Sequence, residues 1–180
     1  MFIIISIIAI LVLYTILTVN KFNRLMVKID ESNSGIDVAL TRRYDTLTKM
    51  LEVLKNYISY EERVIKEVIE LRNQNFSESS TEMKMEIDSK INQAAEYIRV
   101  TMENYPELSS YENAKQLQIA ILDTEDQLQA ARRFFNSNIS IYNQMLVTFP
   151  HSIIASIIKF KEKSFFEISK EKKSDVEMDF

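Results

Sequence analysis

Residues 111–149, YENAKQLQIAILDTEDQLQAARRFFNSNISIYNQMLVTF, lie between the chain's two prolines, Pro106 and Pro150. Taking every third and fourth residue gives Ala114, Leu117, Ile121, Thr124, Leu128, Ala131, Phe135, Asn138, Tyr142, Met145 and Phe149, an unbroken 3-4 alternation. That spacing predicts one long helix with one seam. At about 1.5 Å per residue it would extend roughly 57 Å, so its neighbours must be comparably long to cover it, and the expected molecule is a rod.

The composition agrees. One hundred and eighty residues with one Gly, two Pro and 46% hydrophobic content suit long helices and not sheets with tight turns, so the expected class is all-α. The absence of Cys and a single His, His151, exclude disulfides, thiol nucleophiles and His/Cys metal clusters. A net charge of -4 argues against nucleic acid as a partner, which would favour a basic domain.

Outward to the N-terminus, residues 2–19, FIIISIIAILVLYTILTV, carry no charge. As a helix they would cover about 27 Å, close to the hydrocarbon thickness of a bilayer. A signal peptide would place basic residues before the apolar run and a small-x-small site after it. Here nothing basic precedes it, and Lys21, Phe22, Asn23 and Arg24 follow, so an uncleaved anchor over residues 1–20 is expected. Lys21, Arg24 and Lys28 place the N-terminus outside and the remainder in the cytoplasm by the positive-inside tendency.

Helical spacing resumes at Ile36, Leu40, Tyr44, Leu47, Leu51, Leu54 and Ile58. Gly35, the lone glycine, marks an expected kink or break at the end of a juxtamembrane stalk, residues 21–35. Val64, Val68 and Leu71 continue the pattern, and a helix unbroken from Ile36 to Gln74 would match the long helix in length, although a break near Ser59 is the alternative. Residues 75–81, NFSESST, read as a linker in which Ser80 or Thr81 caps a second helix. Met83, Ile87, Ile91, Ala94, Ile98 and Met102 form its buried face. The turn YPELSS, with Ser109 or Ser110 as the next cap, then reverses the chain. The expectation is an elongated antiparallel bundle of three long helices over residues 36–160.

After Pro150 a short helix is expected, followed by a basic and hydrophobic tail, residues 161–180. Ile153, Ile154, Ile157, Ile158, Phe165 and Ile168 alternate with Lys159, Lys161, Lys163, Lys170, Lys172 and Lys173. Such a segment can fold as a cap over the open end of the bundle or contact an anionic membrane. With a continuous first helix, counting directions puts Pro150 at the end away from the anchor, which favours the cap.

RRYDTLTKMLEVLKNY at 42–57, ENYPELSSYENAKQLQ at 103–118 and DTEDQLQAARRFFNSNISIYNQMLVTFP at 123–150, with KFNRL at 21–25, resemble the signature blocks of the bacterial LemA family over essentially the whole chain. The family commonly has Trp where Asn33 stands, Pro at Thr48, Gly at Asn56 and His at Tyr60, while its C-terminal FFE and hydrophobic ending survive as Phe165, Phe166, Glu167, Val176 and Phe180. The resemblance implies a single-pass anchor followed by a helical bundle, and no enzymatic activity.

Three polar constellations stand out. Arg42, Arg43 and Asp45 on one helix and Thr124, Glu125, Arg132, Arg133 and Asn136 on another provide forked donors and carboxylates suited to pairing across helices. They read as an ion network that locks register, the alternative being a pair of arginines that holds a phosphate or a partner's carboxylate. Thr124 and Asn138 are polar residues on the seam, which set register in coiled coils; a polar path along the bundle axis is the other use. Glu61, Glu62, Asp123, Glu125 and Asp126 offer paired carboxylates, but helical spacing equally makes them a solvated face. Thr148 stands three residues before His151, so no Glu-x-x-His motif exists there. No catalytic, cofactor-binding or metal-ligating residue is therefore assigned. The function expected is a structural and interaction protein that presents a helical rod to an unidentified protein partner. The alternative is a self-associating membrane-shaping or envelope-stress component, a homo-oligomer with a lipid-contacting C-terminal segment.

Overall fold

The computed structural model describes residues 1–55, 79–107 and 112–167. Four helices hold these residues together: α1 (Phe2–Lys55), α2 (Thr81–Asn104), α3 (Glu112–Val147) and α4 (His151–Ile158). The class is all-α, as composition and periodicity predict. Two compact units gather different parts of the chain: Met1–Asn33 with Arg133–Phe165, and Ser34–Arg132 with Phe166–Phe180.

α1 does not show the expected break. It passes through Gly35 without a break, and a Cβ built there would meet nothing within 4 Å. A single glycine costs a helix less than a kcal/mol or so, too little to break one whose next turns carry a full apolar face. Gly35→Ala should accordingly stabilise the protein by about 0.5–1 kcal/mol, read as a raised urea midpoint at unchanged slope. An unchanged or lowered midpoint would sink that account.

In the second unit, Ile36, Leu40, Tyr44, Leu47, Leu51 and Leu54 of α1 are buried at the spacing the sequence shows. They meet Ile87, Ile91, Ala94, Ile98 and Met102 of α2, and Ala114 and Leu128 of α3, in one core. The Ser80 hydroxyl caps α2 by accepting from the Met83 N–H at 3.2 Å. The exposed Glu82 in the same turn has a lowered pKa because its carboxylate accepts its own backbone N–H and a bond with Ser80. The helix stops at Tyr105, before Pro106.

Directions follow from side-chain pairs. Asp37 pairs with Lys84, and Arg43 with Asp88 and Asn92, so positions on α1 and α2 increase together and these helices run parallel. Arg42 reaches Gln127 and Arg43 reaches Glu125, so α3 runs antiparallel to α1 and hence to α2. One pair thus departs from the expected alternation, because periodicity identifies a buried face but carries no sign for direction. The helix expected to continue to Gln74, the possible break near Ser59, the capping serines Ser109 and Ser110, and residues 168–180 lie outside the described residues.

The first unit pairs the N-terminal half of α1 with the C-terminal half of α3. Phe22, fully buried, meets the Tyr142 ring edge-on at 5.7 Å and the Phe160 ring at 4.7 Å. Burial also raises the pKa of the Tyr142 hydroxyl. The Tyr14 ring lies 6.2 Å from that of His151. Pro150 therefore comes back beside the apolar N-terminal segment, the reverse of the expected location, because α2 running parallel to α1 changes the parity of the count. The seam also ends earlier than expected: Met145 is buried, whereas Phe149 is 76% exposed. α4 turns off at 93° to α3, its Ile154 and Ala155 buried. After Lys159, in left-handed conformation, the chain is held by Asn143, which donates to the Lys163 carbonyl at 2.9 Å and accepts from the Lys163 N–H at 3.1 Å.

Candidate functional site

The greatest concentration of buried charge lies in the second unit. On α1, Arg43 falls between Leu40 and Leu47 and so points inward. On α3, Glu125, Leu128, Arg132 and Phe135 follow a 3-4-3 spacing that puts Arg132 on the same face as the buried apolar residues. On α2, Lys84, Asp88 and Asn92 are spaced by four residues along the edge of the Ile87 and Ile91 stripe. That registry places polar groups from three helices in one layer.

Asp88 is the hub. Its Oδ1 accepts from Arg43 Nη1 at 3.1 Å and pairs closely with Arg132 Nη2, while its Oδ2 accepts from Asn92 Nδ2 at 3.3 Å. Arg43 Nη2 donates to Asn92 Oδ1 at 2.9 Å and pairs with Glu125 Oε2. Glu125 Oε1 accepts from Gln129 at 2.8 Å. The Arg132 guanidinium stands over the Phe166 ring, 5.1 Å from its centre, which closes one face of the cluster. Asp88 and the two guanidinium groups are almost completely buried; of the four charged groups it is Glu125, at 28% side-chain exposure, that reaches water. Burial lowers the pKa of Arg43, an effect partly countered by Glu125 and Asp88. The guanidinium remains protonated at any ordinary pH.

Two arginines against two carboxylates leave the cluster formally neutral. Each carboxylate engages a guanidinium, so a phosphate would have to displace a buried, paired carboxylate. The geometry therefore suits a lock between helices and not anion capture. Burying such ions costs several kcal/mol each, which pairing about offsets; what they confer is alignment, since a shift of one turn would strand charge in the core. Lys84, fully buried, and Asp37 form a second such pair one turn away. Desolvation raises the Asp37 pKa, against the opposing effect of the Lys84 hydrogen bond and charge.

Of the residues anticipated for an ion network, the structure brings together Arg43, Glu125 and Arg132. Arg42 is exposed and donates to Gln127 at 3.2 Å; Asp45 and Arg133 are exposed and stand outside the cluster. Asp88, Asn92 and the Lys84–Asp37 pair were missed. Reading the buried face of α2 from Met83 hid them, since Met83 is exposed and Lys84 is buried in its stead. The signal available was a run of polar residues at four-residue spacing beside two isoleucines. The seam residues are both buried: the Thr124 hydroxyl donates to the Ile121 carbonyl of its own helix at 2.9 Å, and Asn138 Nδ2 reaches the Lys28 carbonyl of α1 at 3.4 Å. Asn136 is half-buried in the first unit. Among the described residues, no group of three or more His, Asp or Glu is placed to hold a metal ion. Glu61 and Glu62 fall outside them, whereas Asp123 and Asp126 are exposed.

α1 is long and apolar enough to cross a membrane, and almost none of its apolar stretch is buried. Comparison with known sequences adds the following. A family model described as the LemA family matches residues 32–180. Protein LemA of Metamycoplasma hominis is 25% identical over 160 residues, covering 88% of this chain and 73% of the relative. Magnetosome protein MamQ of Magnetospirillum gryphiswaldense is 29% identical over 65 residues, 36% of this chain and 24% of the relative.

Proposed function

The chain belongs to the LemA family, and on that premise we propose that it is a single-pass, membrane-anchored structural and interaction protein that offers its helical bundle to a protein partner and performs no catalysis of its own. The observation that carries this reading is the change of environment along one helix. From Phe2 to Leu17 the side chains of α1, Tyr14 apart, stand exposed, whereas Thr18, Phe22 and Leu25 onward enter a packed core. An apolar surface of that size and length supports burial in lipid. Lys21, Arg24 and Lys28 at its end favour a cytoplasmic bundle with the N-terminus outside. The internally neutralised ion cluster supports a scaffold, because it spends its charge on aligning helices.

A single Cys at the exposed Gln93, in a chain with no native Cys, tests placement. The protein should stay with membranes through alkaline carbonate, and the thiol should resist a membrane-impermeant reagent until cells are lysed. Release by carbonate would remove the anchor; labelling of intact cells would reverse the orientation. For the partner, photo-crosslinkers at the exposed Glu86, Gln93 and Val100 of α2 should give discrete adducts with a second polypeptide, and no adduct from any position would overturn that part.

A further inference from the structure

We infer that α4, with the residues leading into it, is a second membrane contact: an interfacial helix seated at the headgroup–acyl boundary beside the end of the anchor. The inference rests on the anchoring proposed above and adds a lipid-binding site to it. Its starting point is a level. Tyr14, inside the apolar stretch, lies five residues before Val19, so it sits about 7.5 Å within the span if α1 crosses the bilayer. The His151 ring at the start of α4 lies 6.2 Å from that of Tyr14, and the Phe160 ring just past its end lies 4.7 Å from that of Phe22, outside the span. α4 is therefore held between those two levels. Amphipathic helices that lie on membranes bury their apolar face about 5–10 Å into the same zone.

The orientation fits as well. α3 is antiparallel to α1 here, through Asn138 to Lys28 and Tyr142 to Phe22, and α4 leaves α3 at 93°, which lays it across the direction of the anchor. Ile154 and Ala155 face protein. The opposite side carries Ile153 and Ile157, the latter 74% exposed, and the approach to the helix adds Val147 and Phe149 at 79% and 76%. These four residues flank His151, whose ring lies against Tyr14 of the apolar segment, which is what fixes their occupant as the acyl boundary of the same bilayer. Lys159 and Lys161, both exposed, follow where the chain turns back toward Phe22, at the height where lipid phosphates lie.

The chain has no Trp, so single tryptophans report cleanly. Full-length Leu11→Trp, Ile157→Trp and Gln93→Trp would each be reconstituted into vesicles of brominated phosphatidylcholine and phosphatidylglycerol. Leu11→Trp and Ile157→Trp should both be quenched and blue-shifted relative to non-brominated and detergent samples, with Gln93→Trp unaffected. Quenching at Leu11→Trp with none at Ile157→Trp would overturn the inference and leave the anchor standing. No quenching at Leu11→Trp would remove the anchor and this inference with it. Equal quenching at Gln93→Trp would mean general adsorption and would also overturn it. In the Ile157→Trp background, Lys159→Gln with Lys161→Gln should abolish any gain in quenching that phosphatidylglycerol gives over phosphatidylcholine alone; a gain that survives would remove the two lysines from the site.

Discussion

Asp88→Ala should destabilise the protein by about 3–5 kcal/mol, because it leaves two buried guanidinium groups, Arg43 and Arg132, with one carboxylate, that of Glu125 on Arg43. The measurement is urea unfolding of the full chain in detergent, followed by far-UV circular dichroism. Its decisive feature is a cycle. Adding Arg132→Met to Asp88→Ala restores the balance of one guanidinium and one carboxylate, Arg43 with Glu125, and should recover part of the loss. Arg132→Met alone should cost less than Asp88→Ala, because Asp88 keeps Arg43 and Asn92. Asp45→Ala, at an exposed position, should stay within about 0.5 kcal/mol of the parent. If Asp88→Ala behaved like Asp45→Ala, the cluster would not be a buried lock.

Leu128→Asp should have an effect at least as large, about 4–5 kcal/mol or more, enough to unfold the bundle under most conditions. Leu128 is 0% exposed, midway along the α3 seam. The substitution removes a buried side chain, worth about 2–5 kcal/mol in comparable sites, and adds a carboxylate with no partner. Leu128→Met, which keeps apolar volume, should cost under about 1.5 kcal/mol and shows that the position tolerates change of shape but not of charge. Equal midpoints for Leu128→Asp and Leu128→Met would mean that the seam faces elsewhere.

The two predictions also mark the boundary between what was and was not legible. Leu128 is on the seam by simple periodicity, as are Leu40, Leu47, Ile87 and Ile98, all buried as their spacing implies. Asp88 could not be ranked above other acidic residues, since a polar side chain at a face edge is solvated or buried according to what stands opposite. What stands opposite Asp88 is Arg43, 45 residues away. Gly35 shows the converse: a residue type that breaks helices in isolation is overruled where flanking turns pack.

What the sequence determined by itself is local or additive. Apolar spacing of three and four fixes which residues line each helix, Ser80 and Pro106 fix where α2 begins and ends, and an uncharged run of membrane-spanning length fixes that the first turns of α1 are apolar. What only the tertiary structure decided is relative direction and partnership: that α1 and α2 are parallel, that Asp88 collects two arginines, and that His151 returns to Tyr14. A hydrophobic face is the same read forward or backward, so helix direction depends on which polar groups find counter-charges across the interface, and that selection exists only once the helices are packed.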